Sequence, residues 1–92
     1  MSRAQVYALV DAERDRQAAK WGGAHAWGQG DCSSLLVDET VKAAVLAEEC
    51  GEVSRAVLEA DHEAMRQELV QVAAVAVAWL ESFDEVWGTW QS

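Results

Sequence analysis

Proline is absent from the sequence, and cationic side chains are few. Since proline is the residue that most strongly interrupts helices, its absence favours a chain that is mostly helical. Lysine and arginine together number 7 against 16 aspartates and glutamates, which gives a formal net charge of -9. Nucleic-acid backbones are bound through clustered cations, and no basic patch is visible, so the composition argues against nucleic-acid binding.

Cysteine is also scarce, because Cys32 and Cys50 are the only two. They lack the C-x-x-C spacing of redox and zinc sites, and the N-terminus carries no signal-peptide pattern. Reduced thiols in a cytoplasmic protein are therefore expected.

Long hydrophobic segments are missing as well. The longest apolar run, Val72–Leu80, has nine residues, whereas a membrane span requires about 20. This run is interpreted as a central helix of a bundle. A chain of 92 residues has room for one domain with a modest core, so we expect it to associate with a second copy of itself.

Three helix starts are predicted from capping residues. Ser2 and Gln5 have the spacing of a capping box, and Asp38 and Asp61 are suitable N-caps further along the chain. The fold class expected is all-α, a short helical bundle that is completed by dimerisation. Its predicted elements are helix one over about 3–20, a loop over 21–37, helix two over about 38–60, helix three over about 62–84 and a tail over 85–92.

Helices two and three carry polar side chains at matching heights. In an antiparallel hairpin, residues equidistant from the turn lie opposite each other, and both Glu52 with Glu68 and Glu49 with Gln71 are equidistant from Ala60. Ala60 falls where the turn is independently predicted. The pairs are three residues apart within each helix, so they project from one face on successive turns.

These acids interrupt an apolar stripe. Glu48, Glu49 and Glu52 share one arc of helix two with Val41 and Val45, and apolar arcs normally face a core. Two carboxylates about 5 Å apart repel by roughly 3 kcal/mol at an effective dielectric constant near 20. A divalent cation removes that repulsion, and Mg²⁺ is commonly held by a few carboxylates. The alternative is that the glutamates splay into solvent along the edge of the helix.

The acidic residues form a recognisable pattern. The chain reads Glu48-Glu49-x-x-Glu52, then a spacer, then Glu68-x-x-Gln71. This resembles the Glu-Glu-x-x-Glu and Glu-x-x-Asp motifs of the MazG-like family, the all-alpha nucleoside triphosphate pyrophosphohydrolases. The stretch from residue 13 to residue 22 also looks like the segment that precedes the first motif in small members of that family. Gln71 departs from the pattern, because the family has aspartate there.

The resemblance implies an activity and a set of site residues. It implies cleavage of the phosphoanhydride between the alpha and beta phosphates of a nucleoside triphosphate, with Mg²⁺ as cofactor and Mn²⁺ as a possible substitute. The metal ligands that it implies are Glu49, Glu52, Glu68 and Gln71, and the catalytic residues are Glu48, Glu49, Glu52 and Glu68. It also implies a homo-oligomer, at least a dimer.

Candidates for substrate binding are Arg16, Lys20, Trp21 and Lys42. Arg16 and Lys20 either contact the phosphates or form a solvated helix end whose charge complements the helix dipole. Trp21 or Trp27 either stacks on the base or plugs the end of the bundle. Lys42 either meets a phosphate or forms a structural ion pair.

Two other functions are compatible with the sequence. Because Gln71 replaces an acidic ligand, the chain is alternatively a non-catalytic helical dimer that binds nucleotide or protein. A di-iron carboxylate bundle is suggested by Glu59-x-x-His62, but such sites need that pair twice, and the single copy straddles the predicted turn.

Overall fold

The chain is mostly helical in the computed structural model, which describes residues 1–87. The elements are α1 Arg3–Trp21, β1 Ala24–His25, β2 Gly28–Gln29, α2 Glu39–Leu58, α3 His62–Glu81 and α4 Phe83–Trp87. The predicted predominance of helix is thus confirmed, with one short β-hairpin in addition, whereas residues 88–92 of the predicted tail lie outside the described residues. No helix among residues 1–87 combines the length and the apolar character that crossing a membrane needs.

The helices begin at the predicted caps. Ser2 and Gln5 form the capping box, with the Ser2 backbone N–H donating to Gln5 Oε1 at 2.7 Å and the Gln5 N–H donating to Ser2 Oγ at 3.1 Å. The carboxylates of Asp38 and Asp61 each accept a backbone N–H of the following first turn, at 2.7 and 3.0 Å. Donors that would otherwise lack a partner are satisfied at each start.

The turn between α2 and α3 is centred on Ala60, as predicted. Ala60 has a left-handed φ of 56°, and its N–H donates to the Val57 carbonyl at 3.1 Å while the Asp61 N–H donates to the Ala56 carbonyl at 3.0 Å. These two bonds form a Schellman motif, in which the left-handed position usually holds glycine. The motif ends α2 and reverses the chain at once, so α2 and α3 pack as an antiparallel hairpin.

The segment predicted as a loop over 21–37 contains a short β-hairpin. Strands β1 and β2 pair antiparallel, and Gly28 also bridges to Val37. Gly28 has a φ of 143°, and a Cβ there would collide with the Leu36 carbonyl oxygen. Glycine is therefore needed where the backbone of the β-hairpin meets the end of the loop.

Helix three ends earlier than the predicted Asp84. Its last residue is Glu81, and Ser82 is the C-cap, with its hydroxyl donating to the Trp79 carbonyl at 2.7 Å. Lys42 Nζ donates to the same hydroxyl at 3.1 Å. The helix ends here because the Ser82 side chain satisfies a backbone carbonyl of the last turn. The Lys42 ammonium group of α2 holds Ser82 in this position.

The core of one chain is small. The buried hydrophobic residues among residues 1–85 are Cys32, Val37, Ala56, Ala74, Val75 and Ala78, so none is larger than valine. Val45 and Leu46 of α2 pack partly buried against this cluster. Larger apolar side chains such as Tyr7, Leu58 and Leu80 are at least 65% exposed. Several large apolar side chains, which a helical bundle would normally bury, therefore remain open in one chain.

An ion-pair network around the buried Arg14 joins α1, the loop and α3. Arg14 donates to both carboxylate oxygens of Glu81 at 3.0 Å and to Asp31 Oδ2 at 3.0 Å. Burial alone would raise the pKa of Asp31, but hydrogen bonds from Ser33 and the charge of Arg14 hold it below its usual value. Arg14 therefore anchors the loop to both helices.

Removing the Arg14 side chain should destabilise the fold. Arg14→Ala leaves Asp31 nearly buried without its cation, and we expect a loss of about 3 kcal/mol in the free energy of unfolding. Arg66→Ala is the matched control, because the Arg66–Glu63 pair is exposed and such pairs contribute roughly 0.5 kcal/mol. Urea unfolding at one fixed protein concentration measures both, and equal losses in the two variants would contradict a structural role for the network.

Candidate functional site

A cleft of about 420 Å³ opens between α1, the loop and the α2–α3 hairpin. Its polar lining consists of Arg16, Gln17, Lys20, Asp31, Glu48, Glu49 and Gln71, and its aromatic lining consists of Trp21 and Trp27. The volume lies in the range of small-molecule sites, which is about 300–1,000 Å³. Cations from α1 and acids from α2 thus line one space of ligand size.

Three side chains of the α2–α3 hairpin converge beside the cleft. One terminal atom of the Gln71 amide lies 2.8 Å from Glu49 Oε2 and 3.0 Å from Glu68 Oε2, and nitrogen at that position donates to both carboxylates. All three residues are half-buried. The predicted opposition of Glu49 and Gln71 across the hairpin is confirmed by this contact.

The carboxylate of Glu49 is electrostatically strained. Burial, followed by the charge of Glu68 and a hydrogen bond with it, raises the pKa of Glu49, and the charges of Glu48 and Glu52 act in the same direction. An acid in this position gains stability from a proton or from a cation.

Two cations of α1, Arg16 and Lys20, line the cleft. Arg16 is held by Glu13, with Nε and Nη2 donating at 2.8 and 2.6 Å. These hydrogen bonds raise the pKa of Arg16, and the charge of Glu49 acts in the same direction. Lys20 Nζ lies 4.9 Å from the centre of the Trp21 ring, within cation–π distance. Both predicted phosphate-binding cations therefore line the same space as the acids.

An aromatic cluster borders the cleft on the loop side. The Trp21 and Trp27 rings are 6.0 Å apart and tilted, and His25 stacks on Trp27 at 4.5 Å with an interplanar angle of 10°. His25 Nε2 also lies 3.0 Å from the Trp21 carbonyl oxygen. The tryptophans are 38% and 41% exposed, so part of each remains open to a planar ligand.

Lys42 is not brought to the cleft. It is 2% exposed, and its ammonium group faces Ser82 rather than the acids. Along the axis of α2, it lies two helical turns, or about 10 Å, on the N-terminal side of Glu49. Its position beside the end of α3 gives it a structural contact in place of the predicted phosphate contact.

Gln17 is a cleft residue that the sequence analysis missed. It is buried, and its Nε2 lies 3.5 Å from the Gln71 carbonyl oxygen, so it brings α1 up to the acidic cluster. A signal was present, because Val10, Arg14 and Gln17 continue the apolar stripe of α1 at helical spacing. Polar residues on a core-facing stripe indicate either a buried network or a site.

The converging side chains suit a hard divalent cation in their chemistry. Carboxylate and amide oxygens are the ligands that Mg²⁺ and Mn²⁺ prefer, and Glu49, Glu68 and Gln71 present such atoms in a half-buried setting. Within the described part of the chain, no three His, Cys, Asp or Glu side chains are grouped as metal ligands. The third group at the point of convergence is an amide, and Glu52 acts on Glu49 through charge.

Comparison of the chain with protein-family models, with curated proteins and with solved structures finds no match. The function therefore has to be inferred from the cleft and its residues.

The stability of the protein should respond to the ionisation of Glu49. The pKa of Glu49 in the folded state lies above the ordinary value of 4.5. Protonated Glu49 therefore stabilises the fold at pH values below 4.5, and this stabilisation is lost as the pH rises through the folded-state pKa. We expect Glu49→Gln to melt at a higher temperature than the native chain near neutral pH, in buffer with a chelator.

The difference in melting temperature between Glu49→Gln and the native chain should shrink as the pH falls toward about 4. Glu39→Gln, an exposed change in the first turn of α2, is the control and should show no comparable gain. A pH-independent difference would argue against a raised pKa at Glu49.

Proposed function

We propose that this chain is a Mg²⁺-dependent nucleoside triphosphate pyrophosphohydrolase of the MazG-like kind. The observation that carries the proposal is the convergence of Glu49, Glu68 and Gln71 beside a cleft that Arg16 and Lys20 also line. A ligand-sized space lined by both acids and cations suits a polyphosphate, which needs a cation bridge to the acids and direct contact with the cations.

The reaction is the hydrolysis of one phosphoanhydride bond. A water oxygen forms a bond to the alpha phosphorus, the bond from that phosphorus to the bridging oxygen breaks, and pyrophosphate leaves with the nucleoside monophosphate remaining. Glu48, which lines the cleft, is the proposed base that takes the proton from water. Bound Mg²⁺, or Mn²⁺ in its place, would supply charge neutralisation and polarisation of the reacting groups.

Different residues of the chain bind different parts of the substrate. Glu49, Glu52, Glu68 and the Gln71 amide oxygen are the proposed metal ligands, and the charge of Glu52 already acts on Glu49 in the metal-free chain. Arg16 and Lys20 contact the phosphates. Trp21 and Trp27 offer partly exposed rings to the base, since stacking on an aromatic face tolerates any base.

A release assay tests the proposal directly. We expect the native chain to release pyrophosphate from a panel of ribo- and deoxyribonucleoside triphosphates with Mg²⁺ or Mn²⁺. Glu49→Gln should lower kcat/KM by about 100-fold or more, because a preorganised charge is lost from the site. Glu39→Gln, remote from the cleft, is the matched control and should keep full activity.

Two outcomes would redirect the proposal. If the native chain is inert with every nucleotide and both metals, but nucleotide raises its melting temperature, the chain is the non-catalytic binding module. If Gln71→Asp then gains turnover, the site has kept its architecture and lost one acidic ligand. Inactivity without any nucleotide-induced stabilisation would refute both functions.

The homodimer is part of the same proposal. It is supported by the absence of a buried hydrophobic residue larger than valine among residues 1–85, which leaves one chain with little core of its own. The outer face of α2 is lined by exposed small residues, which are Ala43, Ala47, Cys50, Gly51 and Ser54. A Cβ added at Gly51 would touch nothing within 4 Å, so this face has room for another helix.

Mass measurement in solution tests the dimer. Light scattering should give at least twice the 10.0 kDa of one chain. Ala47→Arg should shift the protein toward the monomer, because a long cation on the small-residue face keeps a second helix away. Ala12→Arg, at an exposed position of α1, is the control. A monomeric native chain at every concentration, or dissociation by Ala12→Arg alone, would contradict this interface.

A further inference from the structure

The end of the Gln71 side chain occupies the point between two acids. A single terminal atom of the amide lies 2.8 Å from Glu49 Oε2 and 3.0 Å from Glu68 Oε2. Both distances are hydrogen-bond distances, and both partners are acceptors when ionised. The identity of the inward atom, nitrogen or oxygen, therefore decides whether this contact is attractive or repulsive.

The two orientations of the amide suit two different states of the site. With nitrogen inward, the NH₂ group donates to both carboxylates and holds them together without any ion. With oxygen inward, three oxygens face one another, which is favourable only when a cation lies among them. The orientations differ by a half-turn about the last side-chain torsion, so neither helix has to move.

We propose that Gln71 is a metal-responsive clamp, with its NH₂ group turned toward Glu49 and Glu68 in the metal-free protein and its amide oxygen turned toward them when a divalent cation binds. The inference rests on the proposed metal site. It makes Gln71 a positioning residue that preassembles the acids and lowers the affinity for the ion, because the clamp has to open before the ion enters.

Glutamine is suited to this role in a way that aspartate is not. An ionised aspartate has no hydrogen to donate, so it would add a third negative charge beside Glu49 and Glu68 in the metal-free protein. The same charge would strengthen binding of a cation, since affinity rises with the number of charged ligands. With glutamine at position 71, the site binds the metal more weakly than it would with aspartate, but it is ordered before the metal binds.

The first test observes the amide directly. In ¹⁵N-labelled native protein with chelator, the Gln71 side-chain NH₂ should exchange with water more slowly than that of Gln67. Gln67 is exposed one turn earlier on α3, and its Nε2 makes only a long 3.4 Å bond to Glu63. Added Mg²⁺ should remove this protection, because the NH₂ group turns away from the acids. Exchange as fast as that of Gln67 in chelator, or protection unchanged at saturating Mg²⁺, would overturn the proposal.

The second test compares melting temperatures with and without Mg²⁺. In chelator, Gln71→Asp should melt below the native chain, and Mg²⁺ should raise its melting temperature more than that of the native chain. From the Mg²⁺ dependence of melting, we expect the variant to bind the ion about tenfold more tightly. Gln67→Asp adds the same charge outside the cluster and is the matched control. Equal Mg²⁺ responses in native chain and Gln71→Asp would refute the clamp.

These measurements separate the clamp from the proposed activity. They use Mg²⁺ alone, without a nucleotide, and do not depend on turnover. If the native chain releases pyrophosphate but Mg²⁺ leaves the exchange of the Gln71 amide unchanged, the proposed function stands and the clamp is refuted. If Mg²⁺ removes the protection of the Gln71 amide but the chain shows no turnover, the clamp stands and the catalytic function is refuted.

Discussion

The register of the α2–α3 hairpin depends on one backbone turn. Ala60 adopts a left-handed φ of 56°, and the two hydrogen bonds around it end α2 and start the reversal immediately. Each residue of α3 therefore lies opposite a defined residue of α2. A turn longer by one residue would rotate the acids of α3 by about 100° relative to those of α2, and Gln71 would no longer meet Glu49.

The cleft depends on a second constraint, which acts over long separations in the chain. Arg14 ties α1 to Asp31, 17 residues away, and to Glu81, 67 residues away. The loop tryptophans and the cations of α1 line the same cleft as Glu48 and Glu49. Because the core of one chain contains no buried hydrophobic residue larger than valine up to residue 85, this arrangement relies on polar contacts such as those of Arg14.

The site holds like charges together at a cost in stability. Burial and the neighbouring acids raise the pKa of Glu49, which means that the folded chain disfavours its ionised form. Proteins accept such local strain where a ligand relieves it. With its nitrogen toward the acids, the amide of Gln71 relieves part of it by donating to Glu49 and Glu68.

The helix starts, the position of the turn and the opposition of Glu49 and Gln71 followed from the sequence alone, because capping and helical periodicity are local properties. The family, the metal and the reaction remain predictions from the motif. Only the tertiary structure decided that Lys42 faces Ser82, that Trp27 lines the cleft and that Gln17 is buried beside Gln71. These outcomes depend on how each helix is rotated against elements distant in the chain, and no local pattern specifies that rotation.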